Sequence, residues 1–390
     1  MQKDSIVIMV KPLLPAIIAL VLFSACIAPS VQNEWFSAED QDTEELLKRK
    51  IAQMLLLGFR GTEFNINSSI YLAVKEMGIG GVLLFDYDVP TRSRPRNIIS
   101  QEQLSRLTGD LQDAAPVKLF IAIDQEGGRV NRLRSEYGFP PNLSARDMAA
   151  AGTALTRAQA GQTATLLAEM GINLNFAPCV DLDINPDNPI IGAFGRSFSA
   201  NPQIVIQHAT IWIEEHRQKG ILSSIKHFPG HGSSLADTHL GLVDVTNQWQ
   251  EIELLPYQRL IAAQNRLGPI MVMTSHVFNA NLDPQDPATL SPAILTGILR
   301  NRLRFNGVIV SDDMDMGAIT GHYGFTEALE KAILAGVDIL CLSNNGSHYD
   351  PSLAQRALDA IYSLVREGKI TAERIEESWN RIMTLKQVIY

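Results

Sequence analysis

Residues 221–232 read ILSSIKHFPGHG. The first eight, carrying Ile221, Leu222, Ile225 and Phe228, have the length and β-branched content of a buried strand, and Pro229 and Gly230 stop it just after Lys226 and His227. The same unit, a short apolar run that closes on polar residues, recurs along the chain. It is found as MLLLGF at 54–59, GGVLLFDY at 80–87, KLFIAID at 118–124 and LNFAPCVD at 174–181, then as IMVMTSH at 270–276, GVIVSDD at 307–313 and DILCLSN at 338–344. Helical patterns lie between these runs, at 43–53, 102–114, 155–171, 201–220, 291–303 and 326–336, with two more near 351–367 and 371–388. Gly171, Gly220 and Gly336 stand where helix C-caps are expected, and Ser291-Pro292 reads as an N-cap followed by a first-turn proline. Eight strand signals alternating with helices predict an α/β fold, a (β/α)8 TIM-type barrel in a single domain. The alternative, an open doubly wound sheet, would more often show a glycine-rich nucleotide loop after its first strand, and none is present.

Composition narrows the function. The chain has 390 residues, 46% hydrophobic and 19% charged, which excludes a disordered or fibrous protein and gives enough length for a full core. A net charge of −9 with no basic run argues against nucleic-acid binding. The three cysteines, Cys26, Cys179 and Cys341, lack metal-ligand spacing. Residues 1–26 read as a signal peptide: Lys3 and Lys11, an apolar stretch from Pro12 to Ala25, then a small-residue end. LFSAC at 22–26 resembles a bacterial lipobox, with Phe23 where an aliphatic residue is usual, which implies a lipid on Cys26 and membrane attachment through the N-terminus. An ordinary signal or an uncleaved anchor with an incidental cysteine is the alternative. Residues 27–42 read as a polar tether, and 43–390 as the catalytic barrel.

In a barrel of this kind catalytic groups sit at the C-terminal ends of the strands. Asp124-Gln125-Glu126-Gly127-Gly128-Arg129, Asp181 with Asp183, Lys226-His227, Ser275-His276 and Ser311-Asp312-Asp313 all fall there, so the fold predicts one polar pocket. These stretches also carry a resemblance. IAIDQEGGRV (121–130), GRSFS (195–199), KHFPGHG (226–232), DTH (237–239) and VSDDMDM (310–316) resemble the motifs of glycoside hydrolase family 3, and within it those of the NagZ-type β-N-acetylglucosaminidases. The motifs stand in the family's order and span roughly residues 43–388.

The resemblance implies roles residue by residue. Asp312 matches the nucleophile, a job that suits a carboxylate held ionised at neutral pH. Its neighbours Asp313 and Asp315 are read as orienting the loop or capping the next helix. His239, paired with Asp237, matches the general acid/base, on a loop after the fifth strand that is expected to close over substrate. Asp124, Arg196, Lys226 and His227 match the groups that hold the sugar, with structural ion pairing as the alternative for Arg196. Arg129 and Arg132 belong to the pocket or its rim, and Gly127-Gly128 gives backbone room for a turn. His231 is read as a structural histidine bonding the backbone of the Pro229-Gly230 turn. His227, His231, Asp237 and His239 could surround zinc, but the helix-borne HExxH spacing is absent, and no metal or cofactor is expected. One departure stands out: Ser233-Ser234 replaces the Asp-Thr that usually follows GHG.

The implied activity is that of a retaining exo-β-N-acetylglucosaminidase acting on peptidoglycan fragments or related oligosaccharides through a glycosyl-enzyme intermediate. Phosphorolysis, β-glucosidase activity and an inactive exported sugar-binding lipoprotein are the competing readings. The histidine loop argues against the second, and Asp312, Asp237 and His239 together argue against the third.

Overall fold

The structure, a computed structural model, describes Trp35 and residues 43–389; the leader, Cys26 and the rest of the tether lie outside the described residues. Among the described residues ten strands are formed in chain order: β1 Leu55–Gly58, β2 Gly81–Leu84, β3 Phe120–Ile123, β4 Leu174–Asn175, β5 Leu222–Phe228, β6 Val243–Asp244, β7 Met271–Thr274, β8 Val277–Phe278, β9 Ile309–Val310 and β10 Leu340–Leu342. Eight of them pair in parallel in the order β10-β1-β2-β3-β4-β5-β7-β9, and a bridge between Val310 and Ile339 joins the two ends. The predicted barrel is therefore present. Its strands are buried along their length because side chains from both faces meet apolar neighbours, the barrel interior on one side and the helix layer on the other.

Helices cover the outside where the sequence places them, including Gln101–Ala114, Thr153–Glu169, Pro202–Gln218 and Phe325–Ala335. Gly171 (φ +66°) and Gly220 (φ +74°) end two of them in the left-handed region, as C-cap glycines do. Ser291 caps as expected, its Oγ accepting from Ile294 N at 3.1 Å, but the helix it opens, Ala293–Arg302, is wound as a π-helix. Nothing in the local sequence signals that winding. No helix among the described residues is long and apolar enough to cross a membrane.

Two departures from expectation shape the site. The fourth strand pairs regularly only over Leu174–Asn175, with Pro178 offering no amide to the ladder, and pairing returns only as an isolated bridge between Cys179 and Lys226. The fifth strand bulges between Ile225 and Phe228, so the adjacent Lys226 and His227 both line the pocket, which regular alternation forbids. Outside the barrel, β6 and β8 form a small parallel pair. It anchors the far end of the loop that leaves β5.

Candidate active site

A pocket of ≈ 470 Å³ opens at the C-terminal ends of the strands. All seven residues singled out for chemistry line it: Asp124 beyond β3, Arg196, Lys226 and His227 on β5, Asp237 and His239 on the following loop, and Asp312 beyond β9.

The floor is a chain of opposite charges. Lys226 Nζ donates to Asp124 Oδ1 at 2.6 Å and lies 2.7 Å from Glu126 Oε1. Arg196 grips Glu126 with a two-pronged fork, Nε to Oε2 at 2.9 Å and Nη2 to Oε1 at 2.8 Å. Burial opposes the charge on Glu126, but the Arg196 and Lys226 cations outweigh it and hold the carboxyl far below the usual range. Burial would likewise lower Lys226, yet Asp124 and Glu126 carry it above its ordinary value. Charges this deep are tolerable only because each has its partner. Arg196 thus carries the ion pair that the sequence left as the alternative, while still facing the pocket.

The tautomer of His227 follows from the same network. Arg196 Nη2 lies 3.1 Å from His227 Nε2, and a guanidinium can only donate, so Nε2 accepts. The proton then sits on Nδ1, which donates to Asp181 Oδ2 at 2.6 Å. Asp181 also accepts from His231 N at 2.8 Å and from the Cys179 thiol at 3.2 Å. Burial pushes this carboxyl up, but His227 chiefly overrides it and brings it down to about 2. Cys179, Asp181 and His227 place three potential metal donors within 4.8 Å of one another. Burial pushes the thiol well up, so this trio is a hydrogen-bonded chain with its protons in place. The four residues weighed as zinc ligands do not form such a group.

Asp312 is held from its backbone. Its amide donates to Thr274 Oγ1 at 3.2 Å, and its Oδ1 accepts from Asp313 N at 2.8 Å. Burial raises its pKa, but His276, His227 and His239 outweigh burial and leave it below the ordinary value. His276 braces the turn from below: Nε2 donates to Asp313 O at 2.9 Å, and Nδ1 lies 2.8 Å from Thr289 Oγ1. Asp313 and Asp315 orient loops, as the sequence implied. Asp313 Oδ1 accepts from Ser343 N at 3.0 Å, and Asp315 Oδ2 from Asn344 N at 2.9 Å. Burial and the neighbouring Asp315 push Asp313 up.

The loop after β5 carries the second half of the site. Asp237 Oδ1 accepts from both the amide (2.9 Å) and Nδ1 (2.7 Å) of His239, so a single carboxylate sets the ring's position and tautomer. Burial lowers the His239 pKa, but Asp237 and then Asp312 outweigh it and the net shift is upward. The loop is docked onto the segment that follows Asp312: Gly317 N donates to His239 O (3.3 Å) and Ala318 N to Thr238 O (3.1 Å). A Cβ at Gly317 would lie 2.8 Å from His239 O, so only glycine permits this approach.

His231 is structural, but not in the way its sequence position implies. Its ring meets hydroxyls, Ser234 Oγ at 2.7 Å and Thr238 Oγ1 at 3.2 Å, rather than the turn backbone, and burial holds it down to about 4. Ser234, one of the two departures from the family loop, also accepts from Asn188 Nδ2 at 2.9 Å. It therefore ties the loop to the barrel. Three residues that the sequence placed at strand ends have roles it did not give them: Glu126 as the partner of Arg196, Asp181 as the partner of His227, and His276 as the brace of the Asp313 turn; Arg132, read as pocket or rim, lies in the pocket with its Nη2 3.8 Å from Asp124 Oδ2. Asp124, Asp181 and Lys226 stand in different strand units, so no local pattern joins them. Arg129 is exposed at the mouth, its guanidinium 4.8 Å from the Phe194 ring, with no carboxylate partner among the described residues.

Comparison with known proteins identifies the family. Residues 46–385 match the Glycosyl hydrolase family 3 N terminal domain. The chain is similar to a beta-hexosaminidase of Tolumonas auensis, 37% identical over 296 residues, covering 75% of this chain and 83% of that one. Beta-hexosaminidase A of Pseudoalteromonas piscicida is 34% identical over 80% of this chain, which spans about half (54%) of that relative's length. Among solved structures, a family 3 β-N-acetylglucosaminidase from Paenibacillus superposes with a TM-score of 0.77 at 34% identity, over 88% of this chain and 62% of that one. A β-N-acetylhexosaminidase from Beutenbergia cavernae gives 0.76 at 27% identity, over 89% of this chain and 99% of that one. With a barrel of that fold and a profile match across nearly all of it, the chain belongs to glycosyl hydrolase family 3.

Proposed function

We propose that the protein is a retaining exo-β-N-acetylglucosaminidase that removes terminal β-linked N-acetylglucosamine from peptidoglycan fragments, exported and held at a membrane by a lipid on Cys26. The observation that carries the activity is the His239–Asp237 pair at 2.7 Å, in the same pocket as a partly buried Asp312 whose pKa is held below the ordinary value. Asp237 occupies Nδ1 of the ring, and Nε2 has no protein partner among the described residues. Asp312 attacks the anomeric carbon as His239 protonates the leaving oxygen from Nε2, so one C–O bond breaks while the glycosyl ester forms. His239, now neutral, takes a proton from water, and the hydroxide displaces Asp312. The raised His239 pKa keeps the acid form populated near neutrality. Asp124, Lys226 and Arg132 converge on the innermost part of the pocket, where they suit the hydroxyls of a pyranose.

The finer substrate reading is supported by the mouth. Arg129 is a cation without a partner beside the apolar Phe194, a setting that favours a leaving sugar with a carboxylate, as muramyl residues carry. The test is release of 4-nitrophenol from 4-nitrophenyl N-acetyl-β-D-glucosaminide. Asp312→Ala is expected to lower turnover by about 10⁴-fold or more. Wild-type turnover in that variant would remove the assignment, and N-acetylglucosamine 1-phosphate formed with phosphate present would replace hydrolysis by phosphorolysis.

A further inference from the structure

Trp35 is placed on the underside of the barrel. Its carbonyl accepts from Arg49 Nη1 at 2.8 Å, and the Arg49 guanidinium stacks 4.2 Å from its ring. Gly78 lies directly against the indole: a Cβ there would sit 3.3 Å from Trp35 Cζ2 and Nε1, and 3.3 Å from Pro116 Cγ. Gly78 precedes β2, Pro116 precedes β3, and Arg49 lies in the helix Thr43–Gln53 that leads into β1. Every contact is thus at the N-terminal ends of the strands, while the pocket is at their C-terminal ends. We propose that Trp35 fastens the N-terminal segment to the face opposite the pocket, so that a lipid bilayer reached through Cys26 lies beneath the barrel and the pocket opens away from it. This rests on the lipid-anchor reading of Cys26.

Chain length makes the clamp matter. Positions 26 to 35 are nine residues apart, a reach of roughly 30 Å at most. The helix Pro202–Gln218, with 17 residues, spans about 25 Å of barrel depth. A tether clamped at Trp35 would need almost full extension to bring the pocket side to the bilayer. Counted from Thr43 instead, the 17 residues back to Cys26 reach roughly 60 Å and would let the barrel turn freely.

The test uses the mature chain from Cys26 with a lipid maleimide coupled to that thiol; the other two cysteines are buried. Coupling by chemistry makes the result independent of whether cells lipidate Cys26, which metabolic lipid labelling asks separately. A fluorophore is clicked onto an azide-bearing residue at exposed position 219, on the underside, or 347, in the loop after β10, and energy transfer is read to an acceptor dye in phosphatidylcholine vesicles. Transfer from 219 is expected to exceed that from 347 by about twofold or more, since the barrel layer is roughly 25 Å deep. Trp35→Ala should bring the two values together while turnover on the soluble chromogenic substrate stays unchanged. Equal or reversed transfer in the wild type overturns the proposal, and so does a difference that survives Trp35→Ala. Absence of metabolic labelling with the transfer difference intact removes only the cellular anchor.

Discussion

Lys226, on the pocket floor, has a side chain 2% exposed and lies between two carboxylates, whereas His239, beside the same pocket, is 62% exposed and bound to one. The floor is organised before substrate arrives: its cations and anions are desolvated, mutually bonded and unable to turn away. The loop leaves the His239 ring open to water, which the proposed hydrolysis needs as a reactant in its second half. Floor and loop therefore divide the work, one holding shape and charge and the other exchanging protons. The division predicts that damage to the floor shows as lost fold and lost activity together, and damage to the Asp237–His239 pair as lost activity alone.

The strongest challenge to that division is Glu126→Ala. It leaves Arg196 facing no carboxylate and Lys226 only Asp124, and should cost about 3–5 kcal/mol in denaturant unfolding with nearly complete loss of turnover. A variant that is inactive but fully stable would show that the floor is not a structural unit. His239→Ala is next: turnover should fall about 10²–10⁴-fold with an unchanged melting temperature. In the same loop Asp237→Asn removes the partner that raises the His239 pKa. Since His239 must be protonated for the first step, the alkaline limb of kcat/KM should move to lower pH. An unmoved limb would assign the proton to another group.

The fourth test separates the two regions by pH. Glu253 packs against Gly230 under the loop, and burial pushes its carboxyl up to about 7. The folded state then holds a proton that the unfolded state releases, so stability falls as pH rises between about 4.5 and 7. Asp181, under the floor, is depressed to about 2; its contribution is present above about 4 and is lost as pH falls towards 2. Glu253→Gln should flatten the first slope, by about 2 kcal/mol across the window, and leave the second. Urea midpoints over pH 3–8 decide it; an unchanged upper slope would place the titration elsewhere. The smallest effect is expected from Ser234→Ala, about 1 kcal/mol from three lost hydrogen bonds. A severalfold drop in kcat with KM unchanged would add a dynamic role for the loop.

Much of this architecture was legible because each strand announces itself locally. Ile121–Asp124 and Val308–Asp312 each show an apolar run and the polar residue that ends it within five positions. The dyad was legible too, because Asp237 and His239 are two residues apart and the bond runs along the loop. The floor was not. Glu126 meets an arginine 70 positions away, and His227 an aspartate 46 positions away, so their pairing exists only once the barrel brings β3, β4 and β5 together. The bulge in β5 and the hydroxyl partners of His231 were hidden for a related reason: both depend on how neighbouring elements pack. Residue type alone indicates that His231 is buried comfortably, not what satisfies it.

Gly317 has one further consequence. The distance between the two halves of the catalytic machinery is set there by a missing methyl group, with His239 O lying 2.8 Å from where a Cβ would be. Alanine at this position would act as a wedge. It would leave Asp312, the floor and the Asp237–His239 bond chemically intact while prising the proton donor away from the bond it must protonate. The enzyme's tolerance for error is thus narrowest at a residue that has no side chain and takes no part in any chemical step.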